Sequence, residues 1–286
     1  MSSFDPSSLK AITFDFGNTL VPVGRAGLQH VVEATGRAVI DRMGPFDFDA
    51  YLRIWSEERE RQFREEVPQF RETDLAHRFV RVFARMRGMP APPDDVSWDQ
   101  AAAARLSTPE EIAWALDVYS ASFVGRLPPD PAAGPLLEAL AGRYAIGILS
   151  NWPFAATIDR YVDAMGWTPW IRAIVVSQRV GVIKPHGDIF AVAREALGSP
   201  RPKSILHVGD DWAADVVGAA AAGWRVAFVN RRPADSPLPS STRDDSVLPD
   251  IEVASIADLG PILGVGRGAV ASLAPSVAGD PRPDPG

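Results

Sequence analysis

The sequence predicts an α/β fold, a doubly wound parallel sheet with an all-helical insertion. Three observations predict it. Short apolar runs recur along the chain and each stops at a polar residue, helical stretches separate the later runs, and a long early segment carries helical periodicity alone. Runs of roughly 4–8 residues rich in Ile and Val are the pattern of strands buried on both faces. Strand, helix, strand in alternation is the pattern of a parallel, Rossmann-like sheet.

In chain order, the first strand is 11–14, running into Asp15. The second is 144–149, running into Ser150, and the third is 173–176, running into Ser177. A helix over 187–197 leads to a fourth strand, 204–209, which runs into Asp210. A helix over 213–222 then leads to a fifth, 224–229, and 251–253 is a weaker sixth. Between the first two strands the chain reads as helices over 28–43, 48–63, 73–86 and 109–123. Tyr51, Ile54 and Trp55 recur at i, i+3, i+4, and Leu75, Phe79, Val82 and Phe83 at i, i+4, i+7, i+8, so these helices are amphipathic.

The expected organisation is therefore a catalytic core of 1–21 and 128–265, with a helical cap at 22–127. The Pro/Ser/Asp-rich stretch 233–249 reads as a long loop. The tail 266–286 has too few large apolar residues to offset its ordering entropy and is expected to be disordered.

Composition narrows the chemistry. The 286 residues suit about two domains at ~150 residues each. The absence of cysteine excludes disulfide scaffolds, thiolate metal sites and thiol nucleophiles. A net charge of −7 is not the footprint of a nucleic-acid binder. The N-terminus lacks the pattern of a secretory signal, and no run of ~18 apolar residues spans a membrane, so a cytoplasmic protein is expected. Of the 29 basic residues only Lys10, Lys184 and Lys203 are lysines.

Parallel sheets place reactive groups at their strand tips. Here the tips carry Asp15, Ser150 and Asp210, with Lys184 on the loop after the third strand. Carboxylates can hold a hard cation, an ammonium can neutralise phosphate oxygens, and one carboxylate can attack phosphorus.

In order along the chain, Asp15-Phe16-Gly17-Asn18-Thr19-Leu20, Ser150-Asn151, Lys184-Pro185 and Gly209-Asp210-Asp211 with Asp215 resemble the four motifs of the haloacid-dehalogenase-like hydrolase superfamily. The helical insert falls where that family places its type 1 cap. The resemblance implies a Mg²⁺-dependent phosphatase acting on a small phosphorylated metabolite. Asp15 would be the nucleophile that forms an aspartyl-phosphate, and Asp15, the Gly17 carbonyl and Asp210 would bind Mg²⁺. Ser150 and the Asn151 amide would hold phosphate oxygens, helped by the positive end of the next helix. Lys184 would bridge phosphate and Asp15, Asp215 would orient Lys184, and Thr19 would support the turn. Asp211 reads either as a helix cap or as a further metal contact.

One position departs from the pattern. The family's phosphatases carry a second Asp two residues after the nucleophile, which protonates the leaving group; here that position is Gly17. General acid–base help is worth ~10²–10⁴-fold, so its loss weighs on alkoxide leaving groups and little on acyl phosphates. Three alternatives follow. Phosphonate cleavage needs a cap lysine, and no lysine lies between Lys10 and Lys184. A 2-haloacid dehalogenase needs no leaving-group acid, but works without metal. A catalytically weak regulatory protein fits Gly17, but not the retention of every other motif residue.

The cap segment carries Arg53, Arg59, Arg61, Arg64, Arg71, Arg78 and Arg81 among Glu57, Glu58, Glu60, Glu65 and Glu66. Such a pattern reads either as a salt-bridged, solvated helix face or as a face from which one or two arginines enter the cleft to bind an anionic substrate tail. Trp55, Trp152 and Trp212 are candidate pocket walls, Trp55 alternatively cap core. His207 reads as a satisfied core histidine, and His30, His77 and His186 have no metal-ligand spacing.

Overall fold

The computed structural model describes residues 4–244 and 246–265; the tail expected at 266–286 lies outside the described residues. All six expected strands form one parallel sheet: β1 (Ala11–Phe14), β2 (Ala145–Ser150), β3 (Ile171–Val176), β4 (Ile205–Gly209), β5 (Arg225–Val229) and β6 (Ile251–Val253). Their order is β3-β2-β1-β4-β5-β6. Every residue of β1 is buried, as the unbroken apolar run requires of a central strand. The winding reverses between β1 and β4, and in open parallel sheets the ligand crevice opens beyond the strand tips at that point. Asp15 and Asp210 directly follow those two strands.

Of the α-helices between β1 and β2, five fall within residues 22–127: α1 (Arg25–Met43), α2 (Phe48–Glu65), α3 (Leu75–Met86), α4 (Gln100–Ala104) and α5 (Pro109–Arg126). Their starts follow from capping. Asp47 caps α2, and Asp74 accepts from the Ala76 and His77 amides, so α3 starts two residues later than its apolar period suggests. At α5, Thr108 and Glu111 form a reciprocal capping box ahead of Pro109. No described helix is long and apolar enough to cross a membrane.

The core adds α6 (Ala133–Ala141), α7 (Ala155–Ala164), α8 (Ser177–Val180), α9 (Gly187–Ala196), α10 (Gly218–Ala221) and α11 (Leu259–Ile262). Neither α6 nor α7 is expected from the sequence, where Gly134-Pro135 and Pro153 break the periodic pattern. The single helix expected over 213–222 is divided into a π-helical turn, Trp212–Val217, followed by α10. An extra residue in that turn re-aims the side chains that follow β4, a device common at functional sites.

An aromatic cluster joins the helices to the sheet. Phe16, just after β1, meets Trp152 at 5.3 Å and Tyr161 at 5.2 Å, and Phe123 of α5 meets Trp152 at 5.2 Å. Elsewhere α1 and α2 pack so closely that a Cβ on Gly36 would stand 2.4 Å from the buried Tyr51 ring. Gly36→Ala should therefore lower stability, because overpacking at ~1–3 kcal/mol outweighs a helix-propensity gain of ~1 kcal/mol. A drop of a few degrees in the thermal unfolding midpoint is expected; an unchanged or higher midpoint would contradict this packing.

Candidate active site

Four elements converge on Lys184. Its Nζ donates to Asp15 Oδ1 at 2.8 Å, to the Leu149 carbonyl at 2.8 Å and to Asp215 Oδ1 at 2.5 Å. Only 2% of the residue is exposed, so the ammonium is essentially dry. Burial alone would lower its pKa, but the two carboxylates outweigh burial and hold it above the ordinary lysine value. Burial pushes Asp15 up to about 6, opposed by Lys184 and assisted by the Asp215 charge. Burial also acts on Asp215, but Lys184 and His207 outweigh it and hold that carboxyl below its usual range.

Asp215 is held on every side. His207 Nε2 lies 3.0 Å from its Oδ1, and its Oδ2 accepts from the Asp211 amide at 2.9 Å. His207 in turn meets Thr13 Oγ1 at 2.8 Å, which makes it the satisfied core histidine expected, and burial lowers its pKa. Gly209 makes the arrangement possible, since a Cβ there would lie 2.2 Å from the Asp215 carboxyl carbon. The glycine of that motif is thus a space requirement of the carboxylate six residues on.

Asp210 is raised well above its ordinary value, by burial first and then by the charges of Asp15 and Asp215. Its nearest hydrogen-bond partners are long: Thr19 Oγ1 at 3.4 Å and Arg232 Nη1 at 3.3 Å. Carboxylate oxygens of Asp15, Asp210 and Asp215 lie within 4.8 Å of one another. Such crowding of buried negative charge fits a hard divalent cation. Asp215 has spent its oxygens on Lys184, His207 and the Asp211 amide, which leaves Asp15 and Asp210 as the carboxylates able to hold the ion. Asp211 caps the turn instead: its carboxylate accepts from the Ala214 amide at 2.8 Å and from the Ser241 amide at 2.8 Å.

Ser150 is buried, and among the described residues its hydroxyl has no partner at full hydrogen-bond geometry, although it stands near enough to Asp15 to help lower that carboxyl's pKa. Asn151 is zipped to the backbone of Lys184: its Oδ1 accepts from the amide at 2.7 Å and its Nδ2 donates to the carbonyl at 3.0 Å. The side chain of Asn151 therefore fixes the Lys184 loop against the β2 tip. Trp152 lines the cavity above Asp15. Trp212 is no pocket wall; it is buried under the sheet edge, where its Nε1 donates to Asp244 at 3.0 Å. Trp55 is cap core, stacked on Tyr119 at 5.9 Å.

The loop after β5 contributes residues the motifs do not announce. It lies across the strand tips and is tied at several points. Asn18 Nδ2 donates to Ser236 at 3.1 Å, Arg59 donates to the Pro237 carbonyl at 2.6 Å, and Arg232 holds both Asp210 and the Leu238 carbonyl. Leu238 and Trp152 fill the space beside Gly17, where a Cβ would come within 2.7 Å of Leu238 and 3.1 Å of Trp152. The volume that a second motif carboxylate would need is occupied by apolar side chains. Proline and serine content marked this stretch as a loop, but nothing local in it signals contact with residues some 200 positions away.

A cavity of about 330 Å³ opens over Asp15, Lys184 and Asp210 and extends under the helices to Phe63, Arg78 and Tyr119. Of the seven arginines singled out between 53 and 81, five are ion-paired: Arg53, Arg61, Arg64, Arg71 and Arg81. The salt-bridged expectation holds for these. Arg59 and Arg78 form no ion pair among the described residues, and both line the cavity.

Comparison with known proteins identifies the family. A 24% identical relative, a glyceraldehyde 3-phosphate phosphatase from Methanopyrus kandleri, aligns over 86% of this chain and 93% of its own length. A pyrimidine 5'-nucleotidase from Escherichia coli is 31% identical over 47% of this chain and 56% of its own length, so the chain spans about half of that relative. Among solved structures, a 2-haloacid dehalogenase from Pseudomonas syringae superimposes with a TM-score of 0.61 at 21% identity, covering 90% of this chain and 98% of that one, which shows the shared fold. A profile described as haloacid dehalogenase-like hydrolase matches residues 9–223. The chain belongs to the haloacid dehalogenase-like hydrolases.

Proposed function

We propose that the chain is a cytoplasmic, Mg²⁺-dependent phosphatase that hydrolyses a small phosphorylated metabolite through an aspartyl-phosphate on Asp15, with 22–127 as its cap and 1–21 with 128–265 as its catalytic core. The observation that carries this reading is the pairing of Asp15 with Lys184 beside the under-partnered Asp210. Phosphatase relatives support it, and the charge at Asp210 argues against a metal-free dehalogenase.

In the proposed reaction a carboxylate oxygen of Asp15 attacks phosphorus. The bond to the leaving oxygen breaks, and that oxygen departs with the electron pair. Water then attacks phosphorus, the bond from phosphorus to the Asp15 oxygen breaks with its electron pair on the carboxylate, and inorganic phosphate leaves with the water's oxygen, the released proton passing to phosphate or solvent. Lys184, fixed by Asp215 and the Leu149 carbonyl, neutralises charge on the phosphoryl oxygens. The Ser150 hydroxyl would donate to one of those oxygens, and the Asn151 amide to another. Mg²⁺, held by Asp15, Asp210 and the Gly17 carbonyl, would supply further charge neutralisation. With Leu238 and Trp152 at the position of the usual acid, the leaving group has no carboxyl donor beside Gly17, which favours groups that depart as stabilised anions.

A screen of phosphate esters and acyl phosphates tests the reading. Turnover of at least one member is expected, abolished by Asp15→Asn and by EDTA, and restored by added Mg²⁺. Turnover that survives Asp15→Asn or chelation would sink it, and metal-free halide release from 2-haloacids would favour a dehalogenase.

A second prediction concerns the blocked acid position. Gly17→Asp alone should not speed alkyl phosphate hydrolysis, because Leu238 and Trp152 occupy the space. Combined with Leu238→Ala it should raise kcat on alkyl phosphates about tenfold or more, part of the ~10²–10⁴-fold available to general acid–base help. Equal kcat values for the two variants would show that space is not what excludes the acid.

A further inference from the structure

The cap arginines divide by the charge of their partners. Arg53, Arg61, Arg64, Arg71 and Arg81 each meet a carboxylate. Arg78 is only 4% exposed, yet its Nε donates to the Gln62 amide oxygen at 2.8 Å and its Nη2 to the Thr73 carbonyl at 3.4 Å. Arg59 donates to the Pro237 carbonyl at 2.6 Å. Aromatic faces flank both guanidinium groups, Phe63 at 4.7 Å from Arg59 and Trp55 at 5.4 Å from Arg78. Neutral acceptors and rings orient a guanidinium without neutralising it.

A buried cation left unneutralised is costly until a partner arrives. Burial accordingly lowers the pKa of Arg78 to about 10, which still leaves it charged near neutrality. Glu72 is the one acidic side chain at this end of the cavity, and its oxygens are engaged by the Thr73 amide and the Ser177 hydroxyl. Two guanidinium groups against one carboxylate leave a positive surplus at the cap end. The remaining lining of the cavity includes the apolar side chains Phe63, Val67, Phe70 and Ile183.

We propose that Arg59 and Arg78 form a second anion site, which binds a carboxylate or phosphate that the substrate carries in addition to the phosphoryl group transferred to Asp15. This rests on the phosphatase reading above and narrows it to doubly anionic substrates with a short apolar spacer. Guanidinium forks suit both oxyanions, since each offers paired oxygens for bidentate hydrogen bonds.

The test compares short phosphate esters and acyl phosphates that differ only at the far end: a carboxylate, a phosphate or a neutral amide. The better anionic tail should be preferred by about 10–100-fold in kcat/KM, the range expected for hydrogen bonds to a charged group. Arg78→Gln and Arg59→Gln should erase that preference mainly through KM. Arg78→Lys should restore only part of it, and Arg64→Gln, outside the cavity, should change nothing. Glu72→Gln should strengthen binding of the anionic tail by removing the opposing charge. Calorimetry with the dephosphorylated hydroxy acid and its neutral amide reads the same site without turnover, so the site is testable even if no ester is cleaved. Carboxylate and phosphate tails report separately which oxyanion fits. No discrimination between anionic and neutral tails in either assay would overturn the proposal, as would a preference that survives both glutamine variants. Absence of turnover alongside selective binding of the anionic product would overturn the phosphatase reading and leave the anion site standing.

Discussion

Lys184 is an ammonium with almost no water around it, held between the carboxylates of Asp15 and Asp215 and the carbonyl of Leu149. Each of these partners comes from a different element. Asp15 follows β1, Leu149 lies in β2, Asp215 sits in the π-helical turn after β4, and Lys184 itself lies between β3 and α9. Removing one partner of such a buried pair costs roughly 3–5 kcal/mol, because the remaining charge is left without compensation. The parallel sheet earns its place here by fixing four chain segments that are remote in sequence at one edge. Gly209 and the π-helical turn then read as accommodations to that edge, one clearing space for Asp215 and the other turning it inward.

Charge among the described groups of the site is unbalanced. Three carboxylates face one ammonium, and Arg232 reaches only one of them, at 3.3 Å. His207, buried and shifted toward its neutral form, adds no positive charge. Asp210 carries the imbalance as a pKa raised well above the ordinary value. A carboxylate can relieve such a field by taking a proton or by sharing a cation, and at neutral pH in an oxygen-rich crevice a hard cation is the better fit. Placing that charge beside Asp15 also suits a reaction in which a carboxylate and a phosphoryl group, both negative, must approach each other.

What the sequence made legible follows from range. Each strand is a local apolar run that stops at a polar residue, so fold class, the strand-tip positions of Asp15, Ser150 and Asp210 and the loop position of Lys184 could be read locally, whereas Asp215 enters only through the resemblance of the fourth motif. The division among the arginines could not be read locally. Arg61 and Arg59 sit in the same helical stretch among the same glutamates, yet Arg61 meets Glu58 and Glu65 within α2 while Arg59 lines the cavity and reaches the Pro237 carbonyl of the loop after β5. Trp152 and Trp212 follow motif residues in equivalent fashion, yet one lines the cavity and the other supports the sheet edge. The π-helical turn is equally hidden, because its residues fit an ordinary helical period, and Asp215 within it finds its partner Lys184 31 residues away.

The loop after β5 shows how the absence of a carboxylate at position 17 is built into the structure. If that position had simply decayed, a cleft beside Gly17 would be expected to stand open. Instead Leu238 fills it, Arg232 holds the Leu238 carbonyl, and Arg59 of α2 holds the neighbouring Pro237 carbonyl. The same loop therefore touches Asp210 at one end of the cavity and a cap arginine at the other. Hydrogen bonds from a charged donor to a carbonyl are worth roughly 1.5–3 kcal/mol each, so these contacts hold the loop against α2 and over the strand tips. Arg59 therefore stands where the helical insertion and the loop meet, and an anion that engages it would bind next to the segment that fills the space beside Gly17.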